Sequence, residues 1–250
     1  MVHRIVSATI GGPNDTVIEV GPGLGVLTQS LAEQAGRLIA VEIDARLARR
    51  LEAQFAEQPS VSVMERDVLA VTPETLLIEA GMAEDAPYRV VGNLPYNAGA
   101  AIVRHFLEAA HQPLSLVVML QREVADSMVR GPGQMSLLGV SVQVYATARK
   151  LFNVPPRAFY PPPKVTSGVV RLEVRPEPLV PRVELEAFFR VVRAGFRAPR
   201  KQLRNTLAQG LNAPPAEVAE AIEAAGIDPS LRPQDMGIDG WLALTRELGG

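Results

Sequence analysis

The stretch Asn93-Leu94-Pro95-Tyr96 places an amide, a proline and an aromatic ring directly after a short apolar run. The side-chain oxygen of Asn93 can accept a hydrogen bond from an exocyclic amine. Because the residue before a proline favours extended geometry, the Leu94 carbonyl is held outward as a second acceptor. The Tyr96 ring can stack on a planar base. These residues therefore suit a site for a base that carries an amino group, although such a tetrapeptide alone also suits an ordinary turn after a strand.

A glycine-rich turn supplies a second candidate ligand site. Gly21, Gly23 and Gly25 lie between a predicted strand and a predicted helix, where a small ligand can approach the backbone closely. The spacing differs from the nicotinamide-binding fingerprint G-x-G-x-x-G, since position 26 is valine. The turn by itself is weak evidence, because structural glycine turns are common.

Two carboxylates follow later strands in a similar way. Glu42 ends the second predicted strand, where a carboxylate can accept both hydroxyls of a ribose. Asp67 follows the third predicted strand and can accept from an adenine amine, and Val68 can donate its backbone N–H to the ring. The structural alternatives are a surface glutamate for Glu42 and a helix N-cap for Asp67.

Short apolar segments predict the elements that position these side chains. Strands are predicted at 16–20, 38–41, 61–64, from 90 onward and at 114–120, and helices at 27–35 and 45–55. Strands that alternate with helices predict a parallel sheet covered on both faces. The carboxyl ends of four successive strands, where ligands of open α/β sheets bind, would then hold Glu19, Gly21, Glu42, Asp67 and Asn93.

The predicted secondary structure changes in the second half of the chain, where the regular alternation of strands and helices ends. Residues 136–145 predict a helix, and 150–154 and 168–174 predict strands. The loop between these strands has too many prolines to be a helix or a central strand, and it presents Phe159 and Tyr160 with little conformational freedom. After a proline-rich linker the pattern is purely helical, with helices predicted at 183–196, 202–211, 216–225 and 241–248. We therefore predict two domains, 1–176 and 177–250.

Composition limits the classes of function. The chain has 250 residues, 47% of them hydrophobic, which is enough for a full core. The lack of cysteine excludes disulfides, thiolate metal sites and a cysteine nucleophile, and it fits a reducing cytoplasm. No apolar run approaches the roughly 20 residues that span a bilayer, and the first residues do not resemble a signal peptide. We expect a cytoplasmic protein without a membrane span.

The net charge of −2 conceals a basic block. Residues 146–204 carry 13 basic and 4 acidic side chains, whereas the segments on both sides are acidic. Such a block predicts a surface that faces a polyanion, and the alternative is a solvated face without a partner. Arg197, Arg200, Lys201 and Arg204 recur at spacings of three and four, which predicts charge along one helical side.

Taken together, these residues resemble the ribosomal RNA adenine N6-dimethyltransferases of the small ribosomal subunit. The resemblance runs from about Val2 to the C-terminal helices. The matching segments are Val17–Gly25, Val41–Asp44, Asp67–Leu69, Gly92–Asn97, Met119–Ala125, Pro156–Val165 and Phe196–Arg197. The combination is far more specific than any single motif.

The resemblance implies S-adenosylmethionine as methyl donor, S-adenosylhomocysteine as its product, and a Rossmann-like α/β methyltransferase sheet with a small all-α C-terminal domain. It implies that residues 1–176 bind the cofactor and catalyse the reaction, and that residues 177–250 bind RNA. Glu19, Gly21 and Gly23 would shape the methionine end of the pocket. The residues expected to bind the cofactor are Glu19, Gly21, Gly23, Glu42, Ile43, Asp67, Val68 and Asn93.

The implied substrate is a pair of adjacent adenines in a hairpin near the 3′ end of 16S rRNA, within an immature small subunit. Tyr96 and Phe159 would sandwich the flipped adenine, a usual arrangement where chemistry needs an unstacked base. The expected catalytic residues are Asn93, Leu94, Pro95, Tyr96 and Phe159. The expected RNA-binding residues are Arg130, Lys164, Arg197, Arg200, Lys201 and Arg204. No metal is expected, and the enzyme is expected to be a monomer.

The sequence departs from the family pattern in two places. Family members carry a Gln-Asn-Phe-Leu-like segment that closes over the cofactor. This segment precedes the position of Met1 and is not found in this sequence. Many also have a Tyr-Gly-Arg-Leu-Ser-Val-like stretch where this chain has Met135–Ser141, so one RNA-facing arginine is expected to be missing.

Two alternatives stay open at this point. The related dimethyltransferases that modify one adenine of 23S rRNA confer macrolide resistance, but Leu94 and the Phe159–Pro163 loop favour the small-subunit family. The other alternative is a non-catalytic ribosome-assembly factor that has kept the fold, and the intact Asn93–Tyr96 stretch argues against it.

Overall fold

A computed structural model describes residues 1–248 of the protein, so the last two residues of the predicted helical domain lie outside it. The strands in this range are β1 (Thr16–Val20), β2 (Arg37–Glu42), β3 (Val61–Glu65), β4 (Tyr88–Asn93), β5 (Ser115–Gln121), β6 (Ala146–Val154) and β7 (Ser167–Val174). The helices are α1 (Val2–Thr9), α2 (Val26–Ala32), α3 (Ala45–Phe55), α4 (Pro73–Glu79), α5 (Gly99–Leu107), α6 (Arg122–Val129), α7 (Leu137–Tyr145), α8 (Leu185–Gly195), α9 (Leu203–Leu211), α10 (Pro215–Ala224) and α11 (Ile238–Leu248).

The strands form one sheet in the order β3-β2-β1-β4-β5-β7-β6. Strands β1 to β5 run parallel, and the register aligns Val20 with Val41 on one side and with Gly92 on the other. Every residue of β1 is buried, as expected for a central strand covered on both faces. This register brings the carboxyl ends of β1, β2 and β4 to one edge of the sheet.

The predicted parallel sheet is confirmed for β1 to β5, and the sheet becomes mixed at β7. Strand β7 runs antiparallel to β5, with Ser115 opposite Glu173 and Gln121 opposite Ser167. Strand β7 follows its other sheet neighbour, β6, through the proline-rich loop at 155–166 without an α-helix, so no β-α unit leads into β7. The β-α alternation that predicts parallel pairing holds only as far as β5.

The chain divides into two compact units. The first contains residues 1–126 and 147–174, and the second contains 127–146 together with the chain from Arg175 onward. The predicted division into continuous domains at 176/177 therefore differs from the observed one, because residues 127–146 belong with the C-terminal helices. Helix α7 accounts for the difference, since six of its nine residues are buried and a helix that is apolar on most sides must be surrounded by other elements.

The second unit is helical and has its own core. Trp241 of α11 is fully buried, and its ring lies 5.6 Å from the Phe196 ring between centroids. A Cβ atom at Gly195 would lie 2.3 Å from the Trp241 ring, so the close approach of α8 and α11 requires glycine there. The Tyr145 ring of α7 stacks on Phe189 of α8 with 6.3 Å between centroids. No helix within residues 1–248 is both long and apolar enough to cross a bilayer.

Candidate active site

One cavity of about 510 Å³ lies at the carboxyl edge of the sheet, within the first unit. It is lined by the start of α1, the end of β1 with the glycine turn and the start of α2, the loop after β4, one residue of β5, and the proline-rich loop before β7. The residues on its surface are Met1, Val2, Ile5, Glu19, Gly21, Pro22, Gly23, Leu24, Val26, Leu27, Asn93, Leu94, Pro95, Tyr96, Met119, Ala158, Phe159, Tyr160, Pro161 and Pro163. The glycine turn and the Asn93 loop, which the sequence identified separately, thus share one cavity.

The glycine turn depends on left-handed backbone that glycine adopts readily. Gly23 has φ +60° and Gly25 has φ +83°. A Cβ atom at Gly25 would lie 2.8 Å from Leu51 of α3, so the turn also needs glycine there for close packing. A Cβ atom at Gly23 would meet no atom within 4 Å, and it would occupy space beside the cavity. The turn therefore leaves an open cradle at Gly23.

Glu19 is a buried carboxylate that lines the cavity. It is 1% exposed, and its Oε2 atom has no hydrogen-bonding partner within the described residues. Burial raises the pKa of Glu19 from its ordinary value of 4.5 to about 7, the Thr28 hydroxyl lowers it, and the charge of Glu42 raises it again. A buried, unpartnered carboxylate oxygen beside a cavity can accept from a cationic or N–H-bearing ligand.

Glu42, the last residue of β2, organises the turn from the neighbouring strand. It is 5% exposed, so the interpretation as a surface glutamate is wrong. Its Oε2 accepts from the Gly23 backbone N–H at 3.0 Å, and its Oε1 accepts from the Asp44 N–H at 2.9 Å. Each oxygen keeps a second lone pair for a ligand hydroxyl. Glu42 is outside the lining of the cavity, and the exposed side chain of Ile43 follows it at the same edge.

Asp67 follows β3 at this edge. The backbone N–H of Arg66 donates to the Glu42 carbonyl at 3.0 Å, which continues the strand pairing past the end of β3. Asp67 is exposed and caps a short 3-10 helix at 68–70, where its Oδ1 accepts from the Leu69 N–H at 2.9 Å. The N-cap interpretation is therefore confirmed, and Oδ2 stays available for a ligand. The side chain of Val68 is buried, and neither Asp67 nor Val68 lines the cavity.

Asn93 ends β4 opposite Met119 of β5. Its side chain is exposed and has no hydrogen-bonding partner within residues 1–248. The backbone N–H of Leu94 donates to the Met119 carbonyl at 3.0 Å, and the Leu94 side chain is buried. Pro95 then accepts from the Gly99 N–H at 2.8 Å, which turns the chain into α5. These contacts fix the backbone while the Asn93 amide remains free.

The two predicted aromatic residues line the same cavity as Asn93. Tyr96 is 39% exposed, and its hydroxyl lies 3.0 Å from the hydroxyl of Ser167. Phe159 is partly buried against the core of the first unit, and its N–H donates to the Pro156 carbonyl at 3.1 Å. Tyr160, the next residue, is 99% exposed. The structure therefore brings Phe159 into the same cavity as Asn93 and Tyr96, although it follows them by more than 60 residues in the sequence.

The prediction that the basic residues lie along one helical side is wrong. Arg197, Arg200 and Lys201 lie in the turn between α8 and α9, and only Arg204 is helical. Pro199 explains the difference, because the residue before a proline disfavours helical geometry and helices usually end there. All four side chains are exposed, and none forms an ion pair within the described residues.

The two remaining basic candidates belong to different units. Arg130 is in the second unit and Lys164 is in the first, next to Pro163 of the cavity lining. Both side chains are exposed and lack an ion pair within residues 1–248.

Sequence reasoning did not identify several cavity residues. Val2 and Ile5 of α1 line it, and so does Met119. An amphipathic helix gives no sign of the surface that it will meet, so α1 offered no signal. Met119 could have been found from the sheet register, because it lies opposite Asn93.

Comparison with known proteins decides the family. The family described as "Ribosomal RNA adenine dimethylase" matches residues 1–248. The chain belongs to the ribosomal RNA adenine dimethylase family. It is therefore a methyltransferase of ribosomal RNA adenine, and the observed sheet is the Rossmann-like one of S-adenosylmethionine-dependent methyltransferases.

Individual relatives agree with this membership. The chain is 40% identical to "Ribosomal RNA small subunit methyltransferase A" of Dehalococcoides mccartyi strain CBDB1, across 100% of this chain and 84% of the relative. It is 41% identical to the protein of the same name from Desulfitobacterium hafniense strain DSM 10664 / DCB-2, across 99% of this chain and 87% of the relative.

Two solved structures of methyltransferases superpose well on the chain. A dimethyladenosine transferase from Plasmodium falciparum aligns with a TM-score of 0.81 at 20% identity, covering 99% of this chain and 94% of that one. The 23S rRNA methyltransferase ErmE aligns with a TM-score of 0.75 at 29% identity, covering 100% and 97%. Within residues 1–248, no cluster of three or more His, Asp or Glu side chains is placed to hold a metal ion.

Proposed function

We propose that this dimethylase, acting as a monomer, transfers methyl groups from S-adenosylmethionine to N6 of two adjacent adenines in a 3′-terminal hairpin of 16S rRNA, during cytoplasmic assembly of the small subunit. The observation that carries the proposal is the shared cavity. It joins the free Asn93 amide, the Tyr96 and Phe159 rings and the buried Glu19 carboxylate. An amide acceptor and two aromatic rings that line one cavity suit an extruded adenine.

The residues at the sheet edge fit the cofactor. The unpartnered Oε2 of Glu19 can accept from the ammonium group of the methionine part, and the cradle at Gly23 admits a chain against the backbone. Glu42 would accept the ribose hydroxyls with the lone pairs left by its two backbone donors. Ile43, Asp67 and Val68 would hold the adenine. When bound, S-adenosylmethionine supplies an electrophilic methyl group on a sulfonium.

The main task of the protein in catalysis is to position a weak nucleophile, the N6 atom of adenine. The lone pair of adenine N6 is delocalised into the ring, so it attacks poorly. Hydrogen bonds from N6–H to the Asn93 side-chain oxygen and the Leu94 carbonyl would favour a more tetrahedral nitrogen with a localised lone pair. Tyr96 and Phe159 would hold the ring in line with the methyl group. The proton of N6 leaves to water after transfer, and no covalent intermediate with the protein is required.

The exposed basic residues would bind the RNA backbone. Arg197, Arg200, Lys201 and Arg204 lack carboxylate partners within the described chain, so their charge is available to phosphates. Phosphate contacts of this kind give salt-dependent affinity with little sequence preference. Arg130 and Lys164 would add to the same interaction.

The small-subunit substrate is favoured over 23S rRNA by sequence similarity. Relatives named for the small subunit are 38–41% identical across at least 98% of this chain, whereas the 23S rRNA methyltransferase ErmE is 29% identical. The similar TM-score of ErmE reflects the fold that both kinds of enzyme share.

Mass spectrometry of rRNA tests the proposal directly. Unmethylated small subunits and, in parallel, unmethylated large subunits are incubated with the protein and labelled S-adenosylmethionine. We expect two dimethylated adenines in one 16S fragment and no label in 23S rRNA. Label in a single 23S adenine would replace the proposal with the macrolide-resistance activity. Absence of label, with no S-adenosylmethionine binding in calorimetry, would leave the assembly-factor alternative.

A further inference from the structure

Tyr96 is held at its hydroxyl end by a residue that the proposed function does not use. Its Oη lies 3.0 Å from the Oγ of Ser167, and either group can be the donor. Ser167 is fully buried, whereas Tyr96 is 39% exposed and lines the cavity. The bond therefore joins a rigid interior position to a ring at the cavity surface.

The two residues come from separate segments of the first unit. Tyr96 lies in the loop after β4, which begins after Asn93. Ser167 begins β7, where it lies opposite Gln121 of β5, and the proline-rich loop with Phe159 leads into it. The bond thus connects the Asn93 loop to the strand that ends the Phe159 loop. Both segments belong to the first unit.

The buried hydroxyl of Ser167 needs a hydrogen-bonding partner, and Tyr96 provides one. Ser167 begins a stretch of four buried residues, and Val169 and Val170 within it are fully buried. A buried hydroxyl without a hydrogen bond is costly. The Tyr96 hydroxyl, on a half-exposed side chain, could be satisfied by water instead. The bond therefore does more than supply the Tyr96 hydroxyl with a partner. It restricts the orientation of the Tyr96 ring.

We propose that Ser167 is a positioning residue: its hydroxyl fixes the Tyr96 ring in the orientation that stacks on the target adenine. This inference rests on the proposed function. A tyrosine ring attached only through its Cβ rotates about two torsions. The orientation that stacks on the base would then have to be fixed when the base enters, at a cost in conformational entropy. The hydrogen bond from the hydroxyl fixes the ring before the base binds, so this entropic cost does not reduce the affinity for the base.

A double-mutant cycle in the free protein tests whether the bond couples the two residues. Unfolding is measured for the wild type, Ser167→Ala, Tyr96→Phe and the double variant. We expect the double variant to be less destabilised than the sum of the single variants, because either change removes the same bond. The cycle that pairs Ser167→Ala with Tyr160→Phe, whose side chain is 99% exposed, is the matched control and is expected to be additive. Additivity in the Tyr96 cycle would overturn the inference.

Kinetics and fluorescence then test the positioning role. Since an intramolecular hydrogen bond contributes about 0.5–1.5 kcal/mol, we expect kcat to fall about two- to tenfold in each single variant and no further in the double variant. The KM for S-adenosylmethionine should be unchanged. A hairpin with 2-aminopurine at the target position is bound to each protein together with S-adenosylhomocysteine. The 2-aminopurine fluorescence should be lower in the wild-type complex, where the base stacks on Tyr96, than in the complexes of both variants.

The outcomes separate the two proposals. A wild type that neither methylates small subunits nor quenches the probe would refute the proposed function, and the inference would fall with it. A wild type that does both, with variants that quench and turn over as it does, would overturn only the role of Ser167. Should Ser167→Ala not fold, Tyr96→Phe removes the same bond from the exposed side, and its quenching and kcat decide the matter.

Discussion

The backbone N–H of Gly23 donates a 3.0 Å hydrogen bond to the carboxylate of Glu42, a residue on the neighbouring strand. The other oxygen of Glu42 accepts from the Asp44 N–H. One buried side chain thus shapes the glycine turn after β1 and holds the backbone of Asp44, the N-cap residue of α3, while it keeps lone pairs for a ribose. Glu42 combines a structural role with the proposed binding role, and the two can be separated by substitution.

Glu42→Gln should weaken cofactor binding far more than it weakens the fold. The amide oxygen can still accept from one backbone N–H, but the charge and the second acceptor are lost. We expect S-adenosylhomocysteine affinity, measured by calorimetry, to fall about tenfold or more, since a hydrogen bond to a charged group contributes about 1.5–3 kcal/mol. Glu65→Gln, a change at an exposed glutamate in register with Glu42, is the control and should bind normally. Equal loss in both variants would contradict the role of Glu42.

The raised pKa of Glu19 predicts a pH dependence of stability. The folded protein holds this proton up to about pH 7, whereas the unfolded chain releases it near 4.5. The contribution of Glu19 to stability is therefore fully present below pH 4.5 and is lost as the pH rises through about 7. Thermal unfolding from pH 4.5 to 8 should show a steeper decline in the wild type than in Glu19→Gln. Parallel curves would refute the assignment.

The same carboxyl predicts proton release when the cofactor binds. A cation beside Glu19 favours its ionised form and lowers its pKa. At pH 6.5, calorimetry in two buffers of different ionisation enthalpy should therefore report protons released on binding of S-adenosylhomocysteine. Glu19→Gln should reduce that release along with the affinity. Unchanged proton release in this variant would mean that another group titrates.

Asn93→Ala should abolish methylation and leave RNA binding nearly intact. The side chain is exposed and has no partner within the described chain, so its removal costs the fold little. Loss of an acceptor aimed at the reacting nitrogen should lower kcat by at least about a hundredfold, as removal of an oxyanion-hole donor does. Asn97→Ala, the same change at an exposed position outside the cavity lining, is the control. Comparable loss of RNA affinity in Asn93→Ala would contradict the assigned division of roles.

Arg200→Ala combined with Lys201→Ala should affect the opposite property. We expect weaker RNA binding and a salt slope about 1.4–1.8 units shallower, if each residue neutralises one phosphate. The measurement is fluorescence anisotropy of a labelled hairpin across a salt series. Arg49→Ala with Arg50→Ala on α3 removes the same charge from another exposed pair and should leave the slope unchanged. Equal slopes in all three proteins would exclude these two residues from the RNA interface.

Local sequence predicted most of the elements because their signals are local. Helix α3 was predicted with its observed bounds, Ala45–Phe55, and β1 with Thr16–Val20. Apolar residues at helical spacing, Leu47 and Leu51, mark the former, and a short apolar run before a glycine turn marks the latter. The prediction for Arg197–Arg204 was wrong because spacing was considered without Pro199, which ends the helical path.

The sequence by itself determined most of the strands and several of the helices, the glycine turn after β1, the acceptor and aromatic residues after β4, and the family to which the chain belongs. Only the tertiary structure decided that β7 pairs antiparallel to β5, that α7 packs with the C-terminal helices, and that Ser167 contacts Tyr96. The physical reason is range: propensities and capping act between neighbours in sequence, whereas strand direction, burial and side-chain contacts depend on which distant segments exclude water together.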